Sequence, residues 1–222
     1  MGLLETIVVV YLRKIFYPAG FKFPLEFIPN DILQVEILRE LCTLVMLISI
    51  ALIAGKNKLQ VFSYFLLSFA IWDITYYVGL KIILNWPVSL FTWDILFLIP
   101  IPWIGPVVAP VISSLSMIIL SISLLLINER FANFKIKLIE WFLLFIGAVL
   151  IFISFILDYI NILISKNLLT KIFTLNQAEL QHITFNYMPS NYNWILFILG
   201  LSSVYLSMFL FIKRYFYLTK NY

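Results

Sequence analysis

The chain has 222 residues, 63% of them hydrophobic and only 12% charged, with a formal net charge of +4. A soluble domain carries about 45–50% apolar and about 25% charged residues, so this chain cannot cover its own surface and calls for lipid as solvent. Its basic residues lie in short loops and at the tail, which argues against nucleic-acid binding, and one cysteine, Cys42, rules out an intrachain disulfide and any CxxC redox or zinc motif.

Residues 3–17 open the chain with Glu5 before the apolar run 6–12 and Arg13 and Lys14 after it, the reverse of a signal peptide. A helix of about 15 residues rises about 22 Å, too short for a hydrocarbon core of about 30 Å. The segment is therefore predicted to lie in the interface as a helix. Asn30 or Asp31 can cap the next helix, whose apolar body runs over 32–54 and stops at Gly55. A second span covers 59–84 and ends before Trp86-Pro87.

The stretch WPVSLFTWDILFLIPIPWIGPVVAP follows, and its prolines exclude one continuous helix. The expectation is a turn, a half-helix over 93–98 and a second turn, then spans over 106–127, 139–158 and 192–212. Residues 159–191 are the most polar part of the chain and predict a short amphipathic helix with a loop that carries the single histidine, His182. Gly200, Ser203 and Ser207, and Ala109, Ser113, Ser116 and Ser123, form small-residue stripes of the kind that lets helices approach. The predicted fold is thus all-α: one membrane domain over 1–222, a polytopic bundle of about five spans with an N-terminal interfacial helix and a Pro/Trp-rich half-helix.

The connections 55–58 and 128–137 and the tail hold eight Lys and Arg, against six on the other side. That bias orients the protein N-out/C-in, in a bacterial inner membrane.

An ionisable residue in a span costs at least about 2.5–3.5 kcal/mol, so each needs a partner, water or a function. Glu36, Arg39, Glu40 and Thr43 fall at i, i+3, i+4 and i+7 on one face of span one. Asp73, Tyr77 and Lys81 recur at i, i+4 and i+8 in span two beside Trp72 and Tyr76; Trp93-Asp94 opens the half-helix, and Asp158 closes span four. The topology gathers all these acids at the outer end, whereas Glu140 falls at the inner boundary, where water can reach it. Five carboxylates face Arg39 and Lys81 alone, so some must be protonated, hydrated or metal-bound. Glu36, Glu40 and Asp73 are the set for a metal, if one binds; no other cofactor is implied. The bland reading is a set of ion pairs that lock the bundle, with Lys81 near Asp94.

The run 72–110, with the upstream Glu36-x-x-Arg39-Glu40, resembles a type of small bacterial polytopic membrane protein without an assigned activity. Asp94-Ile-Leu-Phe-Leu-Ile-Pro100 is also similar to a pattern of membrane carotenoid cyclases, an acid before an apolar aromatic run ending in proline. That pattern has two adjacent carboxylates, and Trp93 stands in place of one of them here.

The leading expectation is a protein that binds or acts on a lipid-soluble small molecule in an outward-facing acidic and aromatic pocket. Asp73 or Asp94 would be the acid, with Glu36, Arg39, Glu40, Trp72, Tyr76, Tyr77, Lys81, Trp93 and Asp158 around the ligand. The alternatives are a non-catalytic subunit held in a homo-oligomer or a larger membrane complex, and a proton- or cation-coupled transporter. The lipid bilayer is a partner in every case.

Overall fold

A computed structural model describes residues 1–131, 134–165, 187–189 and 191–220. Among them the chain forms α1 (Gly2–Phe16), α2 (Asn30–Ala54), α3 (Lys58–Leu84), β1 (Trp93–Phe97), β2 (Trp103–Pro106), α4 (Val108–Arg130), α5 (Leu138–Ser165) and α6 (Trp194–Lys220). Five of these helices, α2 to α6, are long and apolar enough to cross a membrane, the architecture of an integral membrane protein. His182 and the amphipathic helix expected around it lie outside the described residues, apart from the part of 159–165 that continues α5.

Local chemistry sets the helix ends. Asn57 accepts a hydrogen bond from Gln60 N (3.0 Å) and caps α3, and Asn85, in the left-handed conformation, ends it. Asn57 Nδ2 also donates to Asn128 Oδ1 (2.9 Å), which ties the start of α3 to the end of α4. Pro110 falls in the first turn of α4, where a missing N–H costs no helical bond.

Several helix pairings build the bundle. Antiparallel α3 and α4 are joined by Ser121 Oγ, which donates to Ser63 O (2.7 Å), and by Ser114 Oγ, which donates to Asp73 Oδ2 (2.7 Å). Between α5 and α6, a Cβ on Gly147 would stand 2.8 Å from Gly200 O. Ser203 Oγ donates to Leu143 O and Ser207 Oγ to Glu140 O (both 2.8 Å), so this predicted stripe does form a contact face. On α4 the serines that bond α3 are Ser114 and Ser121, which are not in the predicted set; within that set Ser116 meets the Tyr205 hydroxyl of α6 (2.8 Å) and Ser123 bonds its own helix. Finally, α1 runs parallel to the last turns of α3, with Thr6 so close to Gly79 that a Cβ there would come within 2.5 Å of it.

The segment before α4 corrects the expected half-helix: Trp93–Phe97 is a strand, paired antiparallel with β2 in the register Asp94↔Gly105 and Ile95↔Ile104, with an irregularity before Phe97. Six residues are too few for a helix to sustain itself, whereas Trp, Ile and Phe suit a strand and the prolines suit its turn. The hairpin satisfies its backbone inside the protein: Val107 N donates to Thr92 O (3.0 Å) and Val108 N to Leu90 O (2.8 Å).

Two more expectations change. The fourth span continues to Ser165, so Asp158 lies within α5 instead of closing it. Glu140 is not solvated but 2% exposed: Arg214 holds both its oxygens (2.6 and 3.2 Å), and Lys137 N donates to it (2.7 Å). The sequence could place Glu140 near a helix start, but not bring α6 back across it.

Candidate functional site

A cavity of about 510 Å³ lies between α1, α2, α3, the hairpin and α5, at the end of the bundle where α2 begins. That volume falls in the range of about 300–1,000 Å³ common for small-molecule sites. Helical spacing places its walls. Glu5, Val9, Leu12 and Arg13 (i, i+4, i+7, i+8) turn one face of α1 inward, and Leu33, Glu36, Ile37 and Glu40 (i, i+3, i+4, i+7) do the same for α2. From α3 come Trp72, Asp73 and Tyr76, and from the hairpin Asp94 and the residues up to Leu98.

Most of the charge is paired across elements. Arg39 of α2 bonds Glu36 one turn away (2.8 Å) and Glu5 of α1. Arg13 Nη2 bonds Asp94 Oδ1 (3.0 Å), joining α1 to the hairpin, while its guanidinium stacks 3.7 Å from the Trp86 ring and 4.4 Å from Phe21. Tyr77 donates to the other oxygen of Asp94 (3.3 Å). The α1–α2 connection closes the rim through Tyr17, whose hydroxyl accepts from Glu26 N (3.1 Å); burial raises this phenol above its ordinary pKa, so it stays neutral.

Glu40 and Asp73 make no salt bridge among the described residues. Glu40 accepts from Leu98 N (2.9 and 3.2 Å), which pins the hairpin's turn to α2. Asp73 accepts from Ser114 alone and borders the cavity. Next to Asp73, Trp72 also lines the cavity, packed against Phe97 and Phe69 and 8% exposed. Its indole Nε1 has no hydrogen-bond partner among the described residues. A buried donor left unpaired is costly and rare.

Glu36, Arg39, Glu40, Trp72, Tyr76, Asp73 and Asp94 therefore line one cavity. Four of the expected residues do not. Tyr77 stands behind Asp94 and supports it, and Lys81 Nζ donates to Pro87 O (3.0 Å), not to Asp94. Trp93 turns away to pack on Tyr192, and Asp158 accepts from Tyr187 (2.5 Å). Glu36, Glu40 and Asp73 do not converge, and no three potential ligands among the described residues could hold a metal ion.

Glu5 and Arg13 are the additions. Their signal was present as two of the three charges of a mostly apolar helix, at i and i+8. The opposite face of α1 (Leu3, Leu4, Ile7, Tyr11, Ile15) is apolar and exposed, and Glu5 and Arg13 are buried in the protein while Lys14 stays exposed. The class of protein defined by this fold is a helical integral membrane protein with a polar, aromatic cavity at one end. No protein-family model, curated protein or solved structure matches the chain.

Proposed function

We propose that this single membrane domain binds a lipid-soluble small molecule in the cavity, which faces the outer side of a bacterial inner membrane in an N-out/C-in arrangement. The observation that carries this reading is a space of about 510 Å³, the size of a small ligand, whose wall combines apolar and aromatic side chains with the charged groups of α1 and α2. On this reading the carboxylates of α2 and α3 are intramembrane and the hairpin is re-entrant, dipping between α2 and α5 from the outer side. The inward charges and apolar outer face of α1 support a seat in the outer leaflet for that helix, below the interface.

If the protein also transforms its ligand, Asp73 is the better of the two candidate acids. Asp94 is bonded by Arg13 and by Tyr77, whereas Asp73 has only a serine hydroxyl and borders the ligand space.

The test is native mass spectrometry of the protein gently extracted from its own membrane. Wild type should carry a stoichiometric non-bulk lipid, and Ile37→Trp, which fills the cavity, should lose it. A bare wild-type chain, or an adduct indifferent to Ile37→Trp, overturns the reading.

One observation favours a second reading, a structural subunit of a larger complex or homo-oligomer: the pairs Arg39–Glu5 and Arg13–Asp94 each tie two elements together, as a packing lock would. It gains if the extracted protein is found only with partner chains.

A further inference from the structure

We propose that the end of the bundle where α3 begins binds an anionic phospholipid of the adjoining leaflet, its phosphate held by Lys135 and Lys137. The connection between α4 and α5 is built to hold these two lysines out. Phe134 and Ile136 are buried in a core with Leu124, Leu144 and Phe211, whereas Lys135 and Lys137 are exposed. A burial period of two sends alternate side chains to opposite sides, so both lysines leave the segment on one side. Its backbone is fixed from within: Arg214 Nη2 donates to Lys135 O (2.9 Å), and Lys137 N donates to Glu140 (2.7 Å). Two residues span at most about 7 Å of chain, which lets two long ammonium arms reach one phosphate. With the backbone already held, little is left to order on binding.

Charge selects the head group. Six basic residues are exposed at this end, Lys56, Lys58, Arg130, Lys135, Lys137 and Lys213, and none enters a salt bridge among the described residues. The bonds Asn57–Asn128 and Arg214–Lys135 draw their elements to one face. Of the two acids described there, Glu140 is buried and taken by Arg214, which leaves Glu129 exposed. At the cavity end the exposed charges of the described residues nearly balance, Lys14, Lys22 and Lys81 against Glu26 and Asp31. A cationic surface at the membrane attracts anionic lipid, and a zwitterionic head gains little from it. Next to Lys137, Leu138, Phe142 and Phe145 (i, i+4, i+7) form an exposed apolar stripe along α5 that suits an acyl chain. A free anion has no use for that stripe.

The test offers the full-length protein, in detergent micelles, equal amounts of dioleoyl phosphatidylglycerol and dioleoyl phosphatidylcholine, read by native mass spectrometry. The two lipids share both chains and the phosphate and differ in net charge. Wild type should retain phosphatidylglycerol at least twentyfold over phosphatidylcholine. Lys135→Gln with Lys137→Gln should lower that preference at least tenfold, at about fivefold for each lysine. Both side chains are exposed, so the melting temperature of this variant should match wild type. Lys14→Gln with Lys22→Gln, the same loss of charge at the cavity end, should leave the preference unchanged. Glycerol phosphate, the head without its chains, should not displace the bound lipid. Equal retention of the two lipids, indifference to the Lys135 and Lys137 changes, or an equal loss from the Lys14 and Lys22 changes overturns the site. Displacement by glycerol phosphate overturns the lipid as its occupant.

Discussion

Each end of the bundle carries a buried acid–arginine cluster, and the two are finished differently. At the end where α3 begins, Glu140 takes both arms of Arg214 and the Lys137 N–H, and Arg214 also reaches Lys135 O (2.9 Å) and lies 4.4 Å over the Phe134 ring. Around it Leu124, Leu144, Met208 and Phe211 fill the space. At the cavity end, Arg39 and Arg13 are paired too, but their partners surround about 510 Å³ of space, and Asp73 and the Trp72 N–H keep unused bonding capacity. A saturated pair in a filled core has nothing left to offer a ligand. Clusters alike in composition therefore differ in what they can do, and packing decides which is which.

The comparison can be broken in order of expected effect. Arg214→Ala strands Glu140 in a filled core and should cost about 3 kcal/mol, seen as a lower midpoint in the unfolding of detergent-solubilised protein. The double change Glu140→Leu with Arg214→Leu should recover most of that loss; failure to recover would mean the site is not a simple lock. Gly79→Val thrusts side-chain atoms into Thr6 and should cost about 2 kcal/mol by pushing α1 off α3. It should also make a cysteine placed at Leu12 reactive to a water-soluble maleimide, and a silent cysteine would show that α1 is held some other way.

Arg39→Met leaves Glu5 and Glu36 without their cation, yet both border the cavity, where water can reach them. The expected loss is about 1 kcal/mol, well below that at Arg214. A loss as large as at Arg214 would make both ends structural locks and erase the contrast. Smallest of all is Trp72→Phe, which removes a donor that bonds nothing and should move stability by less than about 0.5 kcal/mol. A larger drop would mean the indole N–H has a structural partner.

Much of the layout was open to a sequence reader because lipid imposes simple rules. The predicted span 59–84 is observed as Lys58–Leu84, and 32–54 as Asn30–Ala54. Continuous apolar runs of bilayer length can be little else, and Gly55 and Asn57 mark their breaks. The polar face of α2 was equally visible, since one helix's own periodicity puts Glu36 and Glu40 together. Reading went wrong where an outcome depended on a second element. The stretch 93–98 became a strand because β2 was there to pair with it. Lys81 and Asp94 looked like natural partners until Arg13 arrived from a helix some eighty positions upstream (|i−j| = 81).

The sequence by itself determined that this is a membrane protein of about five apolar helices, with its acids concentrated at one end of them. That follows from hydropathy and helical period, which are local properties of the chain. Only the tertiary structure decided which acids are neutralised, which stay open to the cavity, and that α1 supplies Glu5 and Arg13 to its wall. Those outcomes rest on which side chains meet across elements, and no local pattern encodes a partner that lies in another part of the chain.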